Sequence, residues 1–255
     1  MQNIRVVIPT SFSWLSELAT TELNNLSATS EIKYDDNPFR LLAHDEAELC
    51  LIPLQHAPYH FPVGIVITAL RKREQPEYML LMRKNLADPD KLLGVPENAA
   101  VVVPDEIVEN NFLSYFPNVQ TEINPSPAKT ADIVILPKIE VKLRGWSLSD
   151  YLAHDLHPDE FIPAAGQGSF AWICREDNTH LRRLLKKIHC SETVKLCNIE
   201  RRIARRWQED GTKGNAHCSV HPSGHYQLNL CKLNGSETEK KKYSSTVLSE
   251  WESVS

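Results

Sequence analysis

The first seventy residues alternate short apolar runs with one amphipathic segment. Residues 4–8 are rich in β-branched side chains, and residues 12–26 carry apolar side chains at helical spacing, which predicts a strand followed by a helix. Further strands are predicted at 32–34, 49–52 and 64–68. The last two runs are almost continuously apolar, which favours burial on both faces in a parallel or mixed sheet covered by helices.

A charged stretch at residues 71–76 interrupts this pattern and indicates a crossing into a second unit. Beyond it, strands are predicted at 78–82, 99–103 and 131–136, with a helix at 106–116. The order strand, strand, helix, strand predicts a second small α/β domain.

A third unit is predicted where the chain becomes helical and basic, from residue 179 to residue 208. Its apolar side chains share one helical face, and a break in the helix is predicted at 191–193. Residues 225–233 alternate as in a strand, and a short helix is predicted within the polar end, 236–255.

Composition adds expectations about class and compartment. A chain of 255 residues with 42% hydrophobic and 24% charged residues exceeds the usual size of one core, so we expect two or three globular domains. A formal net charge of −5 argues against a dedicated nucleic-acid binder. Six cysteines without a recognisable signal segment predict free thiols in the cytoplasm. Prolines and histidines interrupt the longest uncharged stretch, 49–70, so we expect no membrane association.

The most specific motif is the stretch at residues 161–175, F-I-P-A-A-G-Q-G-S-F-A-W-I-C-R. It resembles the P-A-x-G-Q-G motif and following C-R of the hydroxymethylbilane synthase family, also called the porphobilinogen deaminase family. The segments H-C-S-E-T at 189–193 and N-I-E-R at 198–201 are similar to a helix pair of that family. The likeness covers most of the chain and is weak before residue 45.

This resemblance implies an α/β protein of three small domains. Domain 1 would comprise residues 1–73 with 162–176, and domain 2 residues 74–161. Both would be built like the halves of a periplasmic binding protein around a cleft. Domain 3, residues 177–255, would be an α+β C-terminal domain. The structural motif would be kept by Gly166, Gln167, Gly168 and Arg175.

The resemblance also implies a chemistry that this chain does not match. Family members extend a dipyrromethane cofactor, linked to a cysteine, with porphobilinogen units, and an aspartate assists proton transfer. His56 stands at the aspartate position, and Gln55 stands at the lysine before it. Gly211 stands at the cysteine position in a count without gaps, so Cys218 could anchor the cofactor only if the loop carries an insertion.

The arginines that hold carboxylate groups in the family are also replaced. Val108 and Glu109 stand at two of those positions, and Asp105 and Glu106 lie next to them. Acidic side chains at the rim of a cleft would repel polycarboxylate pyrroles.

Two further groups of residues can each be interpreted as structural or as functional. His217, Cys218, His221 and His225 are metal-friendly and could hold Zn²⁺ or haem, whereas Pro222 favours an ordinary polar hairpin loop. The basic side chains at 180–206 are typical of the solvated face of amphipathic helices, and an anionic partner remains the alternative.

We therefore expect a non-catalytic member of this family, linked to tetrapyrrole biosynthesis, with no cofactor. It would bind a tetrapyrrole or a small anionic ligand, or regulate a protein partner. One alternative is an active hydroxymethylbilane synthase with dipyrromethane on Cys218 and with His56 in proton transfer. Another is a metal- or haem-binding interaction protein. Nucleic acid and membranes are not expected partners.

Overall fold

The computed structural model describes residues 2–124, 127, 131–235 and 237–251. Two compact units share the chain. Unit 1 comprises Met1–Glu74 and Gly166–Leu196, and unit 2 comprises Gln75–Ala165 and Cys197–Ser255. The chain therefore passes from one unit to the other three times.

Thirteen strands and six α-helices are interspersed along the described residues. The strands are β1 (Gln2–Ile8), β2 (Ala28–Tyr34), β3 (Leu49–Pro53), β4 (Ile65–Leu70), β5 (Tyr78–Arg83), β6 (Ala100–Val103), β7 (Gln120–Ile123), β8 (Ile133–Pro137), β9 (Tyr151–Leu156), β10 (Phe170–Arg175), β11 (Gly214–Val220), β12 (Tyr226–Asn234) and β13 (Glu237–Ser245). The α-helices are α1 (Ser16–Asn25), α2 (Pro38–Ala43), α3 (Glu106–Tyr115), α4 (Lys138–Leu143), α5 (Thr179–Leu185) and α6 (Ser191–Glu209).

Unit 1 is built on a five-stranded mixed sheet with the spatial order β2-β1-β3-β10-β4. β1 runs parallel to β2 and β3, and α1 provides the crossover from β1 to β2, as a parallel pair requires. β10 enters antiparallel between β3 and β4. Every residue of β3 is buried, which confirms the burial on both faces predicted for that run.

Unit 2 contains a second sheet of the same design, in the order β7-β6-β8-β5-β9. β6 runs parallel to β7 and β8, and β5 lies antiparallel between β8 and β9. One face of this sheet packs with α3 in a core that includes Tyr78, Leu80 and Phe112. In each five-stranded sheet, one antiparallel strand, β10 or β5, therefore lies between a group of three parallel strands and an edge strand, β4 or β9.

A smaller antiparallel sheet, β11-β12-β13, completes unit 2. The mixed α/β class predicted from the sequence is confirmed, with two five-stranded sheets and one three-stranded sheet. The boundaries of the three predicted domains stay a prediction. Among the described residues, no helix combines the length and apolar character that crossing a bilayer requires.

Several element predictions were wrong, and the strands that were missed share a cause. β7, β9, β11 and β13 were not predicted, and each is an edge strand of its sheet. Edge strands tolerate polar side chains on both faces, so the apolar alternation that marks a strand is weak there. The polar run that includes the three lysines 240–242 is therefore part of β13. The predicted break at 191–193 is instead the first turn of α6.

Candidate functional site

The glycine-rich motif forms a tight turn in unit 1 just before β10. Gly166 and Gly168 have φ values of +85° and +78°, a backbone region that favours glycine. A Cβ at Gly166 would also lie 2.7 Å from the Cγ of Leu54, so glycine is required there for space as well as for conformation. Gln167, between the two glycines, is fully buried.

This turn fixes the short segment that carries two candidate residues. The Leu54 N–H donates to the carbonyl of Ser169 (2.9 Å), and the Glu74 N–H donates to the carbonyl of Gly168 (3.0 Å). Leu54–His56 forms a single 3₁₀ turn after β3, and its C-terminal residue is His56. The motif thus positions Gln55 and His56 through backbone hydrogen bonds.

His56 is a neutral base held against an aromatic ring. Its ring centroid lies 4.9 Å from that of Phe12, with the ring planes tilted by 31°. The side chain presents considerable area to solvent, yet neighbouring protein removes part of its hydration and lowers the pKa of His56 to about 4. The lowered pKa leaves the imidazole neutral at pH 7. Gln55, half-buried beside it, has no ionisable group.

Arg175 ends β10 and is balanced by acidic neighbours in unit 1. Its Nη1 lies 3.1 Å from Oδ1 of Asp45, and its Nε lies 3.2 Å from Oδ1 of Asp177. Two carboxylates therefore surround this guanidinium, which is about one-third exposed.

The acidic residues predicted to line a rim serve structural roles in unit 2. Asp105 caps α3, since its Oδ1 accepts from the Val108 N–H at 2.8 Å, and desolvation raises the pKa of its carboxyl. Glu106 forms an ion pair with Lys213. Glu109 accepts a 2.6 Å hydrogen bond from Thr121. Val108 is buried in the core beneath the helix.

The four-residue metal site predicted from the sequence is not assembled. His217 and Cys218 are consecutive residues inside β11, so their side chains leave opposite faces of the sheet. His221 and His225 flank the following turn with their rings stacked 4.5 Å apart, and both Nδ1 atoms face the hydroxyl of Ser223. Within the described residues, no three or more metal-ligating side chains come together. Residues 217–218 lie in a strand, and residues 221–225 form the turn that joins it to β12, as the alternative interpretation of an ordinary polar hairpin expects.

Residues 37–183, more than half of the chain, match the family model described as "Porphobilinogen deaminase, dipyromethane cofactor binding domain". The chain belongs to the porphobilinogen deaminase family. The porphobilinogen deaminase of Staphylococcus carnosus is 25% identical over 190 residues, which is 71% of this chain and 58% of that protein. That of Oceanobacillus iheyensis is 28% identical over 165 residues, 61% of this chain and 52% of that protein.

This porphobilinogen deaminase family member is similar over only part of those proteins, since the chain spans about half to two thirds of the length of the curated relatives it matches. Among solved structures, an arginine-transport periplasmic binding protein from Legionella pneumophila is 12% identical with a TM-score of 0.44. That match covers 83% of this chain and 96% of the other.

Gly211, which a count without gaps from the family motif places at the cysteine position, ends helix α6. Its φ is +71°, its N–H donates to the carbonyl of Gln208 (3.2 Å), and the next N–H, of Thr212, donates to that of Trp207 (2.7 Å). These two bonds form a Schellman motif, the common helix ending in which glycine takes the left-handed conformation. Gly211 is therefore the terminator of this helix.

Cys218 is fully buried within β11. All six cysteines lie in the described residues, and only Cys190 is partly exposed. Gly211 and Cys218 therefore do not fit covalent attachment of dipyrromethane, because Gly211 lacks a side chain and the thiol of Cys218 is inaccessible.

Glu200 is a structural residue whose role the sequence reasoning missed. It is fully buried, and its Oε1 accepts the backbone N–H of Cys218 at 2.6 Å. The same oxygen lies 3.6 Å from Nδ1 of the buried His217. The sequence contains a signal for this role, because Glu200 is a charged residue on the apolar face of α6, between Leu196 and Ile203.

Proposed function

We propose that this chain acts in tetrapyrrole biosynthesis as a binding or regulatory member of the porphobilinogen deaminase family, without the standard deaminase reaction. Gly211 carries the proposal. Attachment of a dipyrromethane cofactor through a thioether needs a cysteine sulfur, and the aligned position is a helix-terminating glycine. The chain would bind a tetrapyrrole or a small anionic ligand, or act on a protein partner.

His56 supports the same conclusion. A carboxylate at this position would stabilise a cationic pyrrole intermediate by direct attraction. Desolvation by neighbouring protein lowers the pKa of His56, so its side chain is neutral and supplies no opposite charge. A protonated imidazole would repel the intermediate.

Two arginine positions of the family add a third line of support. Val108 is buried in an apolar core, and Glu109 is bound to Thr121. Neither side chain can form the bidentate hydrogen bonds through which arginine holds a carboxylate.

The alternative is an active hydroxymethylbilane synthase. It is favoured by the relatives, which are named porphobilinogen deaminases, and by the match to a cofactor-binding domain. In that case Cys218 would anchor the cofactor after local opening of β11, and His56 would move protons. The free state of all six cysteines agrees with a cytoplasmic location for either function.

Intact-protein mass spectrometry separates the two functions. The chain is purified from cells that synthesise porphobilinogen, beside the Staphylococcus carnosus relative as a positive control. We expect the bare chain mass, no Ehrlich colour and no release of hydroxymethylbilane. A mass increase equal to two deaminated pyrrole units would contradict the proposal. Cys218→Ser and Cys190→Ser variants would then identify the anchoring thiol, because the mass increase disappears only when the cysteine that carries the cofactor is replaced.

A further inference from the structure

A basic pocket lies in unit 1, away from the glycine-rich turn. Its volume is about 420 Å³, within the range of small-molecule sites. It lies between β4, helix α5 and the link that leads to α6. The lining residues are Thr68, Thr179, Arg182, Arg183, Lys186 and His189.

The cations of this pocket lack acidic partners in the described part of the chain. Arg182 donates from Nη1 to the backbone carbonyl of Glu176 at 3.0 Å, an uncharged acceptor. Arg183 and Lys186 form no ion pair with any described residue, and the pocket lining contains no carboxylate. Three positive charges therefore face one concavity without protein counter-charge.

Other arginines of unit 1 show a different pattern. Arg71 pairs with Glu22 and Glu74 at 3.1 and 2.6 Å. Arg5 likewise pairs with carboxylates on its own unit. The pocket is thus distinguished within unit 1 by charge that its own side chains leave uncompensated.

The spacing of the pocket cations has an energetic cost. Arg182 and Lys186 are four residues apart, and Arg183 and Lys186 are three apart, so like charges lie on neighbouring positions of one helical face. Like-charge pairs at these spacings destabilise an isolated helix. A bound anion would reverse the sign of this contribution.

Two hydroxyl groups complete the lining, and that of Thr179 supplies a neutral donor. Thr68 lies on β4, and its O–H donates to Sγ of the buried Cys174 at 2.8 Å, because the Cys174 thiol itself donates to the carbonyl of Arg175. Thr179 begins α5, so its hydroxyl lies one turn from Arg182 and Arg183. Guanidinium, ammonium and hydroxyl donors in one concavity are the set that binds phosphate or carboxylate oxygens.

We propose that this pocket binds a small multivalent oxyanion, either a phosphate compound or a polycarboxylate. One singly charged anion would leave two of the three cations uncompensated, so a ligand with several negative oxygens fits the lining best. The site deepens the function proposed above and rests on it, because it gives the small anionic ligand named there a location and a chemical class. The two tests are distinguishable, because the mass of the purified chain does not depend on these side chains.

Calorimetric titration of the full chain at low ionic strength tests the site. Inorganic pyrophosphate and citrate are the two probes, and the tighter one identifies phosphate or carboxylate chemistry. We expect saturable binding with one site per chain, weakened by added salt. Arg183→Gln and Lys186→Gln should each raise the dissociation constant roughly tenfold, the usual effect of one charge-assisted contact.

Lys187→Gln is the matched control, since Lys187 is exposed on the same segment but does not line the pocket. It removes the same charge and should change affinity less than about twofold, through long-range attraction alone. The variants alter exposed side chains, and circular dichroism verifies their folding. Failure of both probes to saturate, or equal weakening by Lys187→Gln, would overturn the proposal by showing only a diffuse charged surface.

Discussion

Gly166 shows how much a single residue determines in unit 1. It combines a positive φ with the close approach of Leu54, and the turn it forms holds the backbone of the segment that carries His56. Gly166→Ala should lower the free energy of unfolding by about 2–4 kcal/mol, because it adds both backbone strain and a steric clash. Urea denaturation of the full chain measures the loss.

Gly64 offers a control that separates those two effects. Its φ is +79°, but a Cβ there meets nothing within 4 Å. Gly64→Ala should therefore cost only the strain of the left-handed backbone, about 1 kcal/mol. Equal losses for the two variants would show that the contact with Leu54 contributes nothing.

Between elements, Glu200 joins helix α6 to strand β11. Its carboxylate receives the backbone N–H of Cys218, a buried donor that water cannot reach. Glu200→Ala should lower the free energy of unfolding by about 2–4 kcal/mol, since it leaves that N–H unsatisfied. Glu200→Gln keeps an acceptor oxygen and should recover part of the loss. Thermal and urea unfolding followed by circular dichroism compares the variants.

Glu209 provides the matched control on the same helix. Glu209 is exposed, and its Oε1 lies 3.7 Å from Nε of Arg205. Such a surface ion pair contributes little to the free energy of unfolding. Glu209→Ala should change the free energy of unfolding by less than about 0.5 kcal/mol. A loss as large as that of Glu200→Ala would mean that helix propensity or overall charge, not the buried hydrogen bond, explains the effect.

At the scale of the whole molecule, unit 1 depends on two distant parts of the chain. β10 lies between β3 and β4, and it is the strand with which β4 pairs in the described sheet. A fragment of residues 1–74 lacks β10, so β4 has no partner strand, and the backbone N–H and C=O groups of β3 and β4 that bond to β10 are left unpaired. We expect the fragment to show no cooperative urea transition by circular dichroism.

A fragment in which a glycine-serine linker joins residues 1–74 to residues 166–196 is the control. It contains all five strands of the sheet and should recover a cooperative transition. If residues 1–74 unfold cooperatively alone, β10 is dispensable and the interpretation of unit 1 fails.

Local sequence determined the elements that bury a continuous apolar face. β3, β5 and α3 were predicted nearly to their ends, because their burial follows from side chains adjacent in sequence or one helical turn apart. Sequence also determined the family, through the segment that forms the turn at Gly166 and Gly168. Both kinds of information are local in the chain.

Tertiary structure alone decided which polar residues meet. The strand through His217 and Cys218 separates residues that are close in sequence, which is why the predicted metal site does not form. Glu200 on α6 accepts a buried hydrogen bond from the backbone of β11. The cations of α5 face a pocket beside β4. Such encounters depend on sheet pairing over long sequence distances, and the pattern of apolar and polar positions carries no record of which distant strands will pair.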